Sequence, residues 1–328
     1  MGKEKKLKWC MITNFIHTPL IENEDCLRTG LYSWIPTFDG DIKYWVDVTP
    51  EIIRNYDIIQ VNLSGQDVHL LGEIRSVLDE SNPRGTKLVA NNDYTVELWQ
   101  ASYEYLPTFR REVNHADMIF GTEPNQVGTM EVLLGRKVHL ITHPCFTRRL
   151  KTLTPKRKLE AISVVSHRYD HYNVIPSLAV KGLGLTTRLI GYESGSDKKK
   201  FVTSTCYNEI LGGANYMDYC DQLMESKIVV DPFTLTSQSR TGWDCAALGV
   251  PLVGSDRNYS VMKCFPKTAV PPFDIKAMRN MIKKLLTDEK FRQEVIDYAR
   301  NAVDYVSYEN SMKKYLEALE EGSPKIEI

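Results

Sequence analysis

The sequence contains no long hydrophobic run and no marked excess of charge of either sign. No window approaches the eighteen or so consecutive apolar residues that cross a bilayer as a helix. Its 41 basic and 42 acidic residues leave a formal net charge of −1, so no overall field attracts polyanions. The basic N-terminal segment is not followed by the apolar core of a signal peptide. These absences exclude a membrane-spanning segment and make nucleic acid a disfavoured partner.

The cysteines are scattered, and their spacing forms no pattern. The seven cysteines include no Cys-x-x-Cys pair. An odd number of scattered thiols is typical of a reduced, cytoplasmic protein, and not of a disulfide framework or a zinc site. Low-complexity segments and internal repeats of solenoid length are also absent. We therefore expect a cytoplasmic globular protein without a bound metal.

The sequence does contain a regular alternation of short apolar runs and helical patterns. With 328 residues, 42% hydrophobic and 25% charged, the chain suits two domains of ordinary size. The apolar runs are rich in β-branched residues and end in polar residues or glycine. Such runs, separated by helices, are typical of a parallel sheet covered on both faces. The predicted strands are 8–15, 56–64, 86–93, 116–123 and 137–143, and in a second series 159–167, 186–192, 227–233 and 250–256.

The two series of strands predict two α/β domains. The predicted join is the segment 142–158, which is rich in proline, threonine and basic residues and has little periodicity. Its charges are those of a solvated linker, but peripheral contact with an anionic membrane or acceptor stays open as an alternative. The predicted domains are 1–146 and 147–304, followed by a helical segment 305–328.

The stretch TSQSRTGWDCAALGVPLVGS, at 236–255, combines a polar loop, a small-sided helix and a strand. In open parallel sheets ligands bind outside the carboxyl ends of the strands, where free N–H groups and helix dipoles favour anions. Arg240 adds a cation to this loop. The loop residues that present hydroxyl and amide groups are Thr236, Ser237, Gln238, Ser239, Thr241 and Gly242.

The helix after this loop is predicted to begin at Trp243, with Asp244 at its head. Gly249 is the expected left-handed C-cap, and Pro251 prevents the helix from continuing. The loop and helix together therefore suggest a site for an anionic ligand. An ordinary strand-to-helix turn with capping residues is an equally open interpretation of the same stretch.

The segment WDCAALGVPLVGSD, at 243–256, resembles the EAMACGxPVVASD segment of retaining, family-4-type glycosyltransferases. Further segments are similar to family segments in the same order, over nearly the whole chain: 55–62, 116–145, 271–301 and 305–319. The resemblance implies the GT-B fold, an α/β architecture of two Rossmann-like parallel-sheet domains that face a central cleft. In that fold the C-terminal helix crosses back to the first domain.

The resemblance also implies an activity. The protein is expected to move a sugar from a nucleoside-diphosphate sugar to an acceptor, with retention and without a metal or other cofactor. Domain 147–304 is expected to bind the donor, with UDP or GDP as the favoured nucleotide. Domain 1–146 is expected on the acceptor side, with a glycan, a lipid-linked sugar or a small molecule as the favoured acceptor. The alternatives are a catalytically degenerate GT-B binding or regulatory protein, an epimerase, and a transferase that acts on DNA.

The family's Glu-x7-Glu motif, which holds the donor, is only partly present. Asp244 stands in the place of the second Glu, which binds the ribose hydroxyls, whereas Thr236 stands in the place of the first. The family also places a basic residue after the first strand of the second domain, facing the donor phosphates, and His167 and Arg168 occupy that position. Asp256 lies in a loop where relatives contact the donor, although it also suits a plain polar turn.

On the acceptor side, Asn92 and Asp93 stand at the end of the predicted strand 86–93, where many relatives carry a histidine facing the anomeric centre. Either residue is a candidate to hydrogen-bond a sugar hydroxyl, and Asp93 to polarise the acceptor. Asp93 is equally suited to cap the next helix. His17 and Thr18 occupy the place of a glycine-rich acceptor loop that this chain lacks. The predicted catalytic residues are thus Arg168, Asp93 and Asn92.

Overall fold

Parallel strands form the framework of the protein. The computed structural model describes residues 7–13, 30–63, 69–93, 103–155, 160–165, 176–192, 206–212, 215–232 and 235–327. Four of the predicted site residues, His17, Thr18, His167 and Arg168, lie outside these ranges. The chain divides into two units. Unit 1 contains the described residues up to Pro144 and those from Tyr308 onward, and unit 2 contains those from Cys145 to Ser307.

The strands and helices alternate along both units. The described strands are β1 (Trp9–Thr13), β2 (Asp41–Tyr44), β3 (Ile58–Leu63), β4 (Lys87–Asn92), β5 (Met118–Gly121), β6 (His139–Leu140), β7 (Ala161–Val165), β8 (Thr186–Tyr192), β9 (Glu209–Gly212), β10 (Ile228–Asp231), β11 (Leu252–Ser255) and β12 (Ala269–Val270). The described helices are α1 (Trp34–Phe38), α2 (Pro50–Ile53), α3 (Leu70–Glu80), α4 (Leu106–Val113), α5 (Pro124–Leu134), α6 (Thr147–Leu150), α7 (Ser177–Val180), α8 (Tyr216–Met224), α9 (Arg240–Leu248), α10 (Tyr259–Cys264), α11 (Ile275–Thr287), α12 (Glu289–Ala302) and α13 (Tyr308–Glu321).

Each unit is built on one parallel sheet. The strand order is β2-β1-β3-β4-β5-β6 in unit 1 and β12-β11-β10-β7-β8-β9 in unit 2, and neighbouring strands of each sheet pair in parallel. The first order contains the flavodoxin-like arrangement, and the second is the Rossmann arrangement. The predicted α/β architecture is therefore confirmed.

All nine predicted apolar runs contain a strand, but three strands were not predicted. These are β2, β9 and β12, and each lies at an edge of its sheet. Edge strands bury less of their surface than central strands, so they do not need a continuous apolar run. The residues of β9, for example, are exposed or half-buried, whereas every residue of β10 is buried.

The two faces of the unit 1 sheet are covered differently. One face packs its aliphatic side chains against α3, α4 and α5. On the other face, Tyr315 of α13 meets the rings of Trp34, Phe38 and Phe120 at centroid distances of 5.2, 5.0 and 5.7 Å. Trp9 Nε1 also donates a hydrogen bond to Tyr315 Oη at 3.3 Å. We refer to Trp9, Trp34, Phe38, Phe120 and Tyr315 as the aromatic cluster.

Two further properties concern the described residues only. None of the helices formed by them is long and apolar enough to cross a membrane. The same residues contain no group of three or more histidine, cysteine, aspartate or glutamate side chains placed to hold a metal ion.

Candidate functional site

The strand order of unit 2 reverses between β7 and β10, which lie side by side at the centre of the sheet. The chain leaves β7 toward one edge and leaves β10 toward the other. Such a switch point opens a crevice outside the carboxyl ends of the strands, and α/β proteins bind ligands there. Here β7 ends at Val165, three residues before Arg168, and β10 ends at Asp231. The sequence that follows β10 is the predicted donor loop.

Hydrogen bonds fix this loop against the end of β10. Ser239 Oγ donates to the fully buried carboxylate of Asp231 at 2.6 Å, and Ser239 N donates to Ser237 Oγ at 2.9 Å. Ser237 also forms a bridge with Asn258, which joins the loops after β10 and β11. The backbone of Ser239 has φ 42°, a value that is costly for any residue other than glycine. The surrounding bonds maintain this strained conformation.

Helix α9 begins at Arg240, three residues before the predicted start. Thr241 and Gly242 therefore belong to its first turn and not to the loop, and Asp244 is the fifth helical residue and not the second. Ser239 stands at the N-cap position, but its side chain caps no N–H group of the helix. Because the first N–H groups of a helix lack partners within the helix, this end of α9 suits an anion.

The carboxylate of Asp244 is fully buried within unit 2. Its Oδ1 accepts hydrogen bonds from Arg240 Nε at 2.9 Å and from Tyr216 Oη at 2.7 Å, and Cys145 Sγ lies 3.7 Å away. Arg240 Nη2 also donates to Tyr216 Oη at 2.9 Å, which closes a triangle of three side chains. The sequence-based role of Asp244 was to bind ribose. In the observed geometry Oδ1 is occupied by Arg240 and Tyr216, whereas Oδ2 is buried without a hydrogen-bond partner among the described residues.

Burial fixes the protonation of the groups around Asp244. It raises the pKa of the Tyr216 phenol and of the Cys145 thiol, so both are neutral donors at physiological pH. The charge of Asp244 is thus balanced by Arg240, whose side chain is 15% exposed. Of this pair, Arg240 is the member that is accessible to a ligand.

The other residues predicted to bind the sugar nucleotide lie in or near the loop between β10 and α9. Thr236, in the place of the first Glu of the motif, is half-buried. Asp256 is exposed after β11, and its backbone N–H donates to Val270 O at 3.0 Å. Gly242 approaches α10 so closely that a Cβ atom there would lie 2.6 Å from Ser260 Cβ. The helix can pack in this way only because position 242 has no side chain.

In unit 1 the two residues predicted to contact the sugar acceptor, Asn92 and Asp93, differ in burial. Asn92, the last residue of β4, is buried and donates to Met130 Sδ of α5 at 3.5 Å. The Asp93 side chain is 41% exposed. The structure therefore buries the Asn92 side chain against α5 and leaves the Asp93 side chain exposed.

A residue that was not predicted, His143, lies beside Asp93. Its Nε2 is 3.1 Å from Asp93 Oδ1, and its Nδ1 is 3.0 Å from Trp34 Nε1. His143 follows β6, whereas Asp93 follows β4, and β5 lies between these strands. The sequence carried one relevant signal: a histidine at the end of a predicted strand, at the same edge of the sheet as Asp93.

No family model matches the chain, and no curated protein matches it. Solved structures do. Sucrose-phosphate synthase from Thermosynechococcus elongatus is 16% identical, with a TM-score of 0.63 over 94% of this chain and 80% of that one. Anabaena Alr3699/HepE in complex with UDP-glucose is 13% identical, with a TM-score of 0.67 over 96% and 100%. An alpha-glucosyltransferase in complex with UDP-glucose and DNA containing an abasic site is 12% identical, with a TM-score of 0.63 over 95% and 99%.

At these identities the similarity concerns the fold. The structural neighbours are GT-B glycosyltransferases, and their similarity extends over both units. With its two parallel sheets and flanking helices, the chain has the GT-B fold.

Proposed function

We propose that the protein is a glycosyltransferase that moves a sugar from a nucleoside-diphosphate sugar to an acceptor. The observation that carries this proposal is the start of α9, which follows the switch point of a Rossmann sheet in a chain with the GT-B fold. Two structural neighbours were solved with UDP-glucose bound. We favour UDP or GDP as the nucleotide of the donor.

The diphosphate of the donor is proposed to bind the first turn of α9. Ser237, Ser239 and the N–H groups of Thr241 and Gly242 lie around this turn, and Arg240 supplies positive charge at its start. Arg168, which comes three residues after the end of β7 in the sequence, is proposed as the second phosphate ligand, together with His167. These cations would neutralise the charge that develops as the nucleoside diphosphate leaves.

Retention and independence of a metal ion are part of the proposal and rest on the family resemblance. On the acceptor side, Asp93 is proposed to accept a hydrogen bond from a sugar hydroxyl, because its carboxylate is exposed and already held on one side by His143. Asp256, His17 and Thr18 remain proposed contacts. We favour a glycan, a lipid-linked sugar or a small molecule as the acceptor.

The donor is tested by thermal unfolding of the full chain with UDP, GDP and their glucose and mannose derivatives. A ligand at about one hundred times its Kd adds about 2.7 kcal/mol to the free energy of unfolding, so a true donor raises Tm. Arg168→Ala should weaken nucleotide binding about tenfold, since a charge-assisted hydrogen bond is lost. Arg110→Ala, an exposed position in unit 1, is the matched control. If none of these nucleotides raises Tm, the proposal is wrong.

A second candidate is a GT-B protein that binds a nucleotide or sugar nucleotide without transferring the sugar. It is favoured by Thr236 in the place of a motif Glu and by the internal ion pair of Asp244. Release of free nucleoside diphosphate from the bound sugar nucleotide separates the two candidates. Binding that depends on Arg168 without any release, across glycan, lipid-linked and small-molecule acceptors, would establish the binding protein.

Transfer to DNA is a third candidate, because one neighbour was solved with DNA. The net charge of −1 does not favour it, since DNA-binding surfaces cluster basic residues. Incubation of duplex DNA with radiolabelled donor sugar decides this point. Incorporation of the label would identify DNA as the acceptor, in place of a glycan, a lipid-linked sugar or a small molecule.

A further inference from the structure

Trp34, His143 and Asp93 form a hydrogen-bonded chain that runs from the core of unit 1 to its surface. Trp34 Nε1 is 3.0 Å from His143 Nδ1, and His143 Nε2 is 3.1 Å from Asp93 Oδ1. Trp34 is fully buried and the His143 side chain is 2% exposed, whereas the Asp93 side chain is 41% exposed. Only the last member is therefore open to a ligand.

The donor chemistry of Trp34 fixes the tautomer of His143. An indole N–H donates a hydrogen bond and cannot accept one. Nδ1 of His143 must therefore be the acceptor, without a proton, and the proton of the neutral ring is on Nε2. That N–H donates to the Asp93 carboxylate. A ring with its proton on Nδ1, or on both nitrogens, would set two hydrogen atoms against each other at the Trp34 contact.

Trp34, the buried end of this series of hydrogen bonds, is held in place by packing. Trp34 stacks on Phe38 at 6.0 Å and meets Phe120 and Tyr315 edge-on or tilted at 5.8 and 5.2 Å. The His143 ring stands at 81° to the Trp34 ring. Because the aromatic cluster leaves the indole little freedom, the direction of its N–H is set before any ligand binds.

We propose that His143 is a positioning residue that holds the Asp93 carboxylate in one orientation through its fixed Nε2–H tautomer. Oδ1 is occupied by His143, and Oδ2 has no recorded hydrogen-bond partner in the described part of the chain, so it is the oxygen offered to a hydroxyl group. This inference rests on the proposed function, in which Asp93 receives a sugar or acceptor hydroxyl. Because Asp93 Oδ2 is oriented before the substrate binds, less conformational freedom is lost on binding.

The tautomer can be tested without any activity. Nitrogen-15 NMR of the full chain, with the His143 signals assigned from their loss in His143→Gln, should show an unprotonated Nδ1 and a protonated Nε2. Trp34→Phe removes the indole N–H and keeps an aromatic ring, so it should release the ring to a mixture of tautomers. A protonated Nδ1 in the wild type, or spectra unchanged by Trp34→Phe, would overturn the proposal.

Kinetics test the positioning role once a donor and an acceptor are known. His143→Leu should lower kcat about tenfold or more with little change in the KM of the donor, because the carboxylate is no longer oriented. His143→Gln keeps an N–H near the position of Nε2 and should recover most of that loss. A merely structural role would show no such rescue.

The matched control is His139→Leu. His139 is a buried histidine of β6 whose Nε2 contacts Gly322 O at 2.6 Å, away from Asp93. The His139→Leu variant should have a lower free energy of unfolding but an unchanged kcat. If His139→Leu lowered kcat as much as His143→Leu, the positioning role would be wrong. If no sugar nucleotide is turned over, the proposed function fails, while the NMR result still decides whether His143 holds Asp93.

Discussion

Burial decides which polar side chains of this protein are available for chemistry. Asp244 and Asn92 were both assigned to ligand contacts by their place in a sequence pattern, and both are buried. A sequence records that a carboxylate occurs at position 244. Whether that carboxylate faces water or Arg240 depends on the side chains packed around it, among them Tyr216 from another helix.

The ion pair of Asp244 gives a prediction for stability. Asp244→Asn keeps the shape of the side chain but leaves Arg240 without its carboxylate. We expect the free energy of unfolding in denaturant to fall by about 3 kcal/mol, the cost of breaking a buried pair. The double variant Asp244→Asn/Arg240→Met removes both charges and should recover most of this loss. A loss below about 0.5 kcal/mol in the single variant would match an exposed ion pair and contradict the burial of this one.

The same variant tests the ribose assignment. If Asp244 also binds the donor ribose, the wild type should bind UDP or GDP more tightly than the matching 2′-deoxynucleotide, and folded Asp244→Asn should lose that preference. Calorimetric titration measures both affinities. If Asp244→Asn kept the preference for the ribonucleotide, Asp244 would form the ion pair with Arg240 but would not bind the ribose.

Gln60, at the centre of β3, is a buried residue whose role is not explained by the proposed activity. Both polar atoms of its amide are buried without a hydrogen-bond partner, and it pairs in register with Met11 and Val89. An unsatisfied buried amide is destabilising. We expect Gln60→Met to leave Tm unchanged or raise it. Asn62→Leu is the contrasting variant: it should lower Tm, because Asn62 Oδ1 accepts a hydrogen bond from Asn91 at 2.8 Å.

At the scale of elements, central strands and edge strands follow different rules. A central parallel strand is buried on both faces, and its apolar run is legible in the sequence. The short edge strands β2, β9 and β12 are defined by pairing with a neighbour, which the local sequence does not encode. The start of α9 was misplaced for a related reason. Arg240 looked like a loop cation, but it pairs with Asp244 one helical turn later.

Packing of α9 against α10 gives a prediction at this scale. Gly242→Ala places a Cβ atom 2.6 Å from Ser260 Cβ, so the two helices must separate. We expect a loss of about 1–3 kcal/mol in the free energy of unfolding. The first turn of α9 should also shift, and nucleotide affinity should fall with it.

Gly128→Ala in α5 is the matched control. A Cβ atom at Gly128 meets nothing within 4 Å. Since alanine favours helix over glycine, this variant should gain about 0.5–1 kcal/mol. Equal effects of the two substitutions would show that the contact between Gly242 and Ser260 is not close.

At the scale of the whole molecule, the last helix completes the first unit. Tyr315 of α13 is fully buried in the aromatic cluster together with Trp9 of β1, 306 positions earlier in the chain. Closing a loop between such distant positions costs conformational entropy, which the packing of the aromatic cluster must offset. Unit 1 therefore depends on both ends of the chain.

Tyr315→Ala tests this dependence. Removal of a buried aromatic ring should cost about 3–5 kcal/mol. Hydrogen exchange should show the loss of protection in β1 and β3, and little change in β7 and β10. Tyr298→Ala, the same substitution at a residue of α12 that is 51% exposed, should change stability by less than about 0.5 kcal/mol. Equal loss of protection in both units would contradict the assignment of α13 to unit 1.

The sequence by itself determined the alternation of strands and helices, the parallel sheets and the position of the loop before α9. These follow from local patterns of burial, period and turn residues, which act over a few neighbouring positions. Tertiary structure alone decided that Asp244 is paired with Arg240, that Asn92 faces α5, and that His143 meets Asp93. Those contacts join residues from separate strands and helices, and the direction of a side chain depends on everything packed around it.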